Sequence, residues 1–403
     1  MYVTNCFFEK KIENLSYPNP FFFKHTSTKP KMQSKLNQFF KVSQKSTSDS
    51  KKCFIYIEES RKAIFTSASE IKDKVEEGGV CDQFICAKSG LKLYYRSPTG
   101  TPAGSLSSNG ILSSNAAVPS LPPPVTKDSR NLIPLLKSNL QKAVRRCRPD
   151  IAVPTARYLI EHDRVSFLRR LPIIVIEDVC LVDSFPLLIW FMIAAEKDYI
   201  LTQSDINILL SIVQHLCEIR DFYDDSWTKT SAWLARQSSV PDPTHESLVN
   251  FGTEYRDILL AIHYRSLYGG MKGDMRMLVH SIEYYKAHPR EIKHWEPMAQ
   301  EPMKISLVEE NLEILPEAID FHPFPEMIGF IYQKCVAAEE MLGHTNYSYP
   351  AINPRTIKET IWFAESGYNI RKPATIANSE KFKKSFHWNF IKQYVDLYRS
   401  LVL

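Results

Sequence analysis

The chain has 403 residues, 44% of them hydrophobic and 24% charged, with a net charge of +5. This is an ordinary globular composition, which excludes a wholly disordered or fibrous chain, and the length suits one large or two moderate domains. Charge is spread unevenly: residues 1–52 hold ten lysines against three acids, a balance of +7, which leaves the remaining 351 residues at −2.

A basic leader ahead of a mildly acidic body suggests an acidic partner surface or nucleic acid. Residues 1–52 are rich in Lys, Ser, Thr, Asn and Gln with little periodicity, so they are expected to form a disordered arm. One apolar element interrupts the arm, QSKLNQFF at 33–40. Met32 immediately precedes it and offers a second start, so residues 1–31 read either as part of the protein or as an upstream extension. Residues 53–98 are expected to form a small α+β unit. It opens with a strand from Phe54 to Ile57, and YIEESRKAIF fits helix and strand equally. EIKDKVEEGG reads as a helix ending at Gly78-Gly79, and FICAKSGLKLYYR as a hairpin turning at Ser89-Gly90. Residues 99–130 are a Ser/Pro-rich linker with little to bury.

From 131 to 403 the pattern is all-helical. Leu136, Leu140, Ala143 and Val144 share one face, as do Ala152, Ala156, Leu159 and Ile160. FLRRLPIIVIEDVCL follows, with Pro172 expected to interrupt it, as Pro154 interrupts the helix before it. FPLLIWFMIAA at 185–195 is too short to span a bilayer and reads as a buried helix. Thr202 and Asp205 have capping-box spacing ahead of Ile206, Leu209, Leu210, Val213 and Leu216. YRDILLAIHYRSLYGG reads as a helix stopped at Gly269-Gly270, and Asp274 as the cap of the next, whose apolar face is Met275, Leu278, Val279 and Ile282. Asn353-Pro354 is a good helix start. The expected fold is therefore mainly α: a large multi-helix domain behind a small α+β unit and a disordered basic arm. No signal peptide is visible, and the eight cysteines (6, 53, 81, 86, 147, 180, 217 and 335) are scattered without a CxxC pair. Free, mostly buried thiols in a soluble intracellular protein follow, with no membrane partner.

The residues that carry chemistry are few. In QSKLNQFF, Leu36, Phe39 and Phe40 converge on one side of a single helical turn, because three- and four-residue spacings share a face. They form an apolar plug that makes sense as a ligand ordering on a partner. The pattern Gln-x-x-aliphatic-x-x-aromatic-aromatic resembles the PIP box, the peptide by which replication and repair proteins dock on the sliding clamp PCNA. That resemblance implies clamp contacts from Gln33, Leu36, Phe39 and Phe40, steering by Lys31, Lys35, Lys41 and Lys45, and a nuclear location. The plainer alternatives are a chance match or a staple holding the arm to its own domain.

A second stretch, residues 139–181, is similar to the helical C-terminal region of the replication-associated recombination ATPases, the family of the Werner-helicase-interacting ATPase. The matching pieces are Leu140-Gln141-Lys142-Ala143, Ala156-Arg157-Tyr158-Leu159, Arg169-Arg170-Leu171 and Glu177-Asp178-Val179. Cys180-Leu181 departs from the family's Gly-Leu step. No G-x-x-x-x-G-K-[ST] loop occurs anywhere, so a related module would lack the ATPase engine.

Arg145, Arg146, Arg148, Arg169 and Arg170 are candidate phosphate contacts. The plainer reading sets Arg169 and Arg170 against Glu177 and Asp178 within the fold. Gly269, Gly270, Gly273 and Asp274 can form either an anion site at a helix start or a simple helix–helix corner capped by Asp274. Glu177, Asp178, Asp221, Asp224 and Asp257 could assemble a two-metal nuclease site, though no spacing singles them out. Asp320 and His322 are a further possible ligand pair with a bland loop reading. Trp362, Phe363, Trp388 and Phe390 read as core of the last helices; the other reading is an aromatic platform beside Lys381, Lys383 and Lys384. No catalytic, cofactor or metal motif is recognisable. The expectation is a PCNA-tethered accessory protein whose helical domain binds DNA or protein. The alternatives are a metal-dependent nuclease on a helical scaffold and a helical scaffold with no link to DNA.

Overall fold

CFIYI at 53–57 has the aromatic and β-branched content of a strand buried on both faces, and it is the centre of the sheet. The computed structural model describes residues 52–67, 70–71, 80–85, 90–97, 129–220, 244, 247–248, 253–295, 312–320, 326–341 and 352–402. The basic arm, with its QSKLNQFF motif, and the linker up to residue 128 lie outside the described residues.

The strands are β1 (Cys53–Ile57), β2 (Lys62–Thr66), β3 (Val80–Ile85) and β4 (Lys92–Ser97), in the order β2-β1-β4-β3. YIEESRKAIF, which fits helix and strand alike, turns back at Arg61 (φ 52°) and pairs antiparallel with β1 as β2. The expected hairpin is present as the antiparallel β3–β4 pair, and β4 also runs parallel to β1. Ser67 and Glu70 cap each other, the Glu70 N–H donating to Ser67 Oγ at 3.3 Å and the Ser67 N–H to the Glu70 carboxylate at 3.2 Å. Of the helix expected at EIKDKVEEGG, only Glu70 and Ile71 are described.

The other described elements are helical, so the chain is mainly α with a small sheet at its front. The helices are α1 (Ser129–Arg145), α2 (Pro149–Asp178), α3 (Phe185–Ala195), α4 (Gln203–Glu218), α5 (Thr253–Leu267), α6 (Lys272–Ala287), α7 (Glu326–Met341), α8 (Pro354–Ile361), α9 (Pro373–Lys383) and α10 (Phe386–Val402). Leu136, Leu140, Ala143 and Val144 of α1 are fully buried, as their spacing predicts. Neither Pro154 nor Pro172 breaks α2. The interruption lies at Asp163 (φ −151°, ψ 64°), whose side chain accepts the Ser166 N–H at 3.1 Å and so caps the second half. The short side chain of Asp competes for backbone donors, and here that outweighs the helix-breaking tendency of two prolines. Thr202 and Asp205 form the expected capping box of α4, and Asn353 with Thr356 forms one at α8. α6 begins one turn earlier than expected, with Met271 rather than Asp274 at its cap. Met275 and Val279 are only half-buried there, and Met277, Ser281, Tyr284 and Tyr285 join Leu278 and Ile282 inside.

Two apolar clusters organise these elements. The larger joins the sheet to the helices, with Phe54, Tyr56, Leu91, Leu93 and Tyr95 packed among residues of α1 to α6. The small unit at 53–97 therefore has no core of its own. At the contact, Trp190 of the fully buried α3 donates its indole N–H to the carbonyls of Phe54 (3.3 Å) and Tyr94 (3.1 Å), beside the rings of Tyr56, Phe191 and Tyr199. The smaller cluster holds Met327, Ile331, Ile357, Ile361, Trp388, Ile391 and Val395 of the C-terminal helices. Cys53, Cys147, Cys180, Cys217 and Cys335 are free and buried. Burial pushes the thiols of Cys180 and Cys217 up to about 11 and about 12, which leaves them unreactive near neutral pH. Among the described residues no helix is long and apolar enough to cross a membrane.

Trp190 is the joint between sheet and helices. Trp190→Ala is expected to lower stability by about 3–5 kcal/mol, read from urea unfolding; a loss under about 1 kcal/mol would show that the sheet does not lean on α3.

Candidate functional site

The polar chemistry of the body concentrates where the C-termini of α1 and α2 meet the segment after α8. Arg145, in the last turn of α1, places Nε 2.5 Å from Asp178 Oδ1 and Nη2 3.2 Å from Glu177 Oε1. Gln141, one turn earlier, donates to the same two carboxylates at 2.6 and 3.0 Å. Arg145 and Asp178 are 5% and 2% exposed, so this is a buried ion pair. Burial alone would raise the Asp178 carboxyl, but Arg145 and then Lys372 hold it below the usual carboxylate range. Burial would likewise depress Arg145, and Asp178 followed by Glu177 more than offsets it.

The C-terminal segment closes over this pair. α8 passes into a π-helical turn, Trp362–Ser366, and stops at Gly367, where any Cβ would lie 2.9 Å from the Trp362 ring. The wide turn presents the Ser366 carbonyl to Lys142 and to Arg145 Nη1 (3.4 Å), while Ser366 Oγ accepts from Lys142 Nζ at 2.8 Å. The Trp362 ring lies 5.8 Å from the Arg145 guanidinium, within cation–π range. Asn369 Nδ2 then donates to the Asp178 carbonyl at 2.9 Å, and Lys372 Nζ to the Glu177 carbonyl at 2.6 Å. Arg371 spreads its donors over the carbonyls of Val144 (2.6 Å), Leu216 (2.5 Å) and Ile219 (2.6 Å), satisfying chain ends that would otherwise be orphaned. A second buried pair lies nearby: Arg399 of α10 bridges Asp320 at 3.0 and 2.8 Å and Glu365 at 2.8 Å. Arg146 adds Glu317 at 3.5 Å and the Glu365 carbonyl at 3.0 Å.

A low-pKa amine against a serine hydroxyl is the pairing that activates a nucleophile. Lys142 has such an amine, depressed first by burial and then by Arg145 and Arg146. Ser366, however, is fully buried and Lys142 is 5% exposed. The pair is sealed, and its chemistry is that of a fastening between the front helices and the C-terminal ones.

The expected site residues separate accordingly. Arg145 faces inward and is unavailable to phosphate, and Arg146 is largely spent on Glu317 and Glu365. Arg169 pairs with Glu196 at 2.7 Å and donates to the Tyr268 carbonyl at 2.9 Å. Arg170 donates to Gln141 and lies 3.7 Å from Asp274. Neither pairs with Glu177 or Asp178, which lie about two turns further along the same stretch of α2 and take Arg145 of α1 as their partner. Arg148 is the most exposed of the five and pairs with Asp150 at 2.6 Å. At the glycine corner, Gly269 (φ 74°) and Gly270 (φ 152°) turn the chain, and Arg265 and Arg169 bind the corner's carbonyls. Gly273 and Asp274 lie in the first turn of α6. Asp274, facing Arg170, already supplies the negative charge that an outside anion would bring.

Among the described residues no three carboxylate, histidine or cysteine side chains group as metal ligands. Glu177 and Asp178 are engaged as above, Asp257 pairs with Arg256 at 3.2 Å, and Asp320 pairs with Arg399. Asp221, Asp224 and His322 lie outside the described residues, as do Gln33, Leu36, Phe39 and Phe40. Trp388 is core, as expected, while Trp362, Phe363 and Phe390 are half-buried. Sequence reasoning missed Lys142, Ser366, Asn369, Arg371, Lys372 and Arg399. Only the buried-face position of Lys142 beside Ala143 hinted at any of them. No protein-family model matches this chain, and no curated protein or solved structure matches it either.

Breaking a buried pair leaves an uncompensated charge. Arg145→Ala is expected to cost about 3–5 kcal/mol in urea unfolding, against under about 1 kcal/mol for Arg148→Ala at the surface. Lys142 gives a pH signature. The unfolded chain binds a proton there below about pH 10.4 that the folded chain resists, so this residue's burial lowers stability at neutral pH and less so as pH rises. Wild type should therefore gain on Lys142→Met as pH is raised from about 7 to about 10; parallel profiles would mean that the amine is charged in the fold.

Proposed function

We propose that this protein is a nuclear accessory factor of DNA replication or repair, tethered to the PCNA sliding clamp. The observation that carries the reading is QSKLNQFF at 33–40, in which all four defining positions of a clamp-docking peptide stand within a lysine-rich arm. Gln33 serves a polar pocket, Leu36, Phe39 and Phe40 form the plug, and the flanking lysines steer the arm to an acidic ring surface. The body's part is binding rather than catalysis. The candidate metal-binding carboxylates that are described, Glu177, Asp178, Asp257 and Asp320, are held by arginines, and the depressed amine of Lys142 is sealed. A tether makes such a body effective, because docking raises its local concentration at the clamp and weak contacts there become sufficient.

The test is retention on immobilised PCNA of the full chain and of its Phe39→Ala/Phe40→Ala double variant. Wild type is expected to be retained and the double variant lost; equal retention ends the docking hypothesis. Magnesium-dependent cleavage of branched or single-stranded DNA, abolished by EDTA, would instead make the body a nuclease.

A further inference from the structure

The junction of α9 and α10 brings several lysines and aromatic rings together. From 380 to 392 there are four lysines (381, 383, 384 and 392) and one acid, Glu380, a local charge of +3 on a body that sums to −2. All four lysines are exposed. Lys383 leans on Glu365 at 3.8 Å and Lys392 pairs with Asp396 at 2.5 Å, whereas Lys381 and Lys384 make no ion pair with any described residue. Two stacked ring pairs flank them. Phe363 lies on Phe382 with centroids 4.8 Å apart, and Phe386 on Phe390 at 6.0 Å with planes 18° apart. Phe386 is 41% exposed, which is unusual for a ring of that size at an ordered helix start. The junction is rigid: the Ser385 N–H donates to the Phe382 carbonyl at 2.9 Å, and Ser385 Oγ accepts the Trp388 N–H at 3.2 Å. Trp388 itself is anchored in the smaller core.

We infer that this α9–α10 face binds a single-stranded nucleic acid, with Lys381 and Lys384 on the phosphates and Phe386 as a platform for a base. Free cationic side chains beside an exposed ring are the two components of sequence-tolerant single-strand binding, in which stacking and backbone charge add. A duplex keeps its base faces stacked inside, away from a side-chain ring. An acidic peptide would meet the lysines but gain nothing specific from a flat ring. The inference supplies the DNA contact that the proposed function leaves open, on residues other than the five arginines. It does not depend on clamp docking. A full chain that binds PCNA but not an oligonucleotide would sink this inference alone, and the reverse result would sink only the tether.

Fluorescence anisotropy of a labelled oligothymidylate with the full chain tests it. Phe386→Ala should weaken binding about tenfold, within the range of a lost base stack, and Phe386→Tyr should retain it. Lys381→Ala/Lys384→Ala should reduce the slope of log Kobs against log salt by about 1.4, two single-strand phosphate contacts. The basic arm adds the same background to every variant. Should Phe386→Ala misfold by circular dichroism, the exposed lysine pair decides alone. Unchanged affinity in Phe386→Ala, an unchanged salt slope in the lysine variant, or equal competition by polyglutamate and oligothymidylate would each overturn the inference.

Discussion

The Arg145–Asp178 pair is the interaction on which the rest of the body is arranged. Two opposite charges withdrawn from water cost several kcal/mol each, and they are tolerated only where geometry and further hydrogen bonds compensate. Here Gln141 and Glu177 complete the pair from the same two helices. Ser366, Asn369 and Lys372 complete it from a segment roughly two hundred residues away in sequence. The C-terminal helices are thus fixed to the front of the domain by polar groups with few alternative partners, which specifies one arrangement more sharply than apolar contact can.

That arrangement explains why the arginine-rich stretches are poor candidates for phosphate contact. Arg145, Arg146, Arg169 and Arg170 each close a gap between helices, on Asp178, Glu317, Glu196 and Gln141 respectively. The glycine corner follows the same logic, its carbonyls tied by Arg169 and Arg265 and its helix start faced by Asp274. Lys381 and Lys384 at the α9–α10 junction are among the exposed cations without an ion pair among the described residues, and the basic arm carries a balance of +7. In the proposed reading the arm docks on the clamp and the α9–α10 face binds a single strand.

Much of the fold was legible because it is local. The capping boxes at Thr202 and Asn353, the glycine stop of α5, the buried α3 and the β3–β4 hairpin all rest on residues within a few positions of one another. Misreadings arose where two local tendencies competed. Pro154 and Pro172 were expected to break a helix that breaks at Asp163, because a side chain able to cap the next turn decides the boundary. Asp274 was expected as a cap, but its carboxylate faces Arg170, and Met271 takes the cap position. The site was less legible, since Lys142, Ser366 and Arg371 gain meaning only from partners far along the chain.

By itself, the amino-acid sequence determined the helical class, the buried faces of α1 and of the first half of α2, the charge division between arm and body, and the presence of the QSKLNQFF peptide. These depend on periodicity, composition and short-range spacing. Tertiary structure decided that the sheet shares the helical core, that Asp178 belongs to Arg145, and that a lysine lies buried against Ser366. The physical reason is that the partner of a buried charge is chosen by three-dimensional packing, and nothing in the spacing of residues along a chain records it.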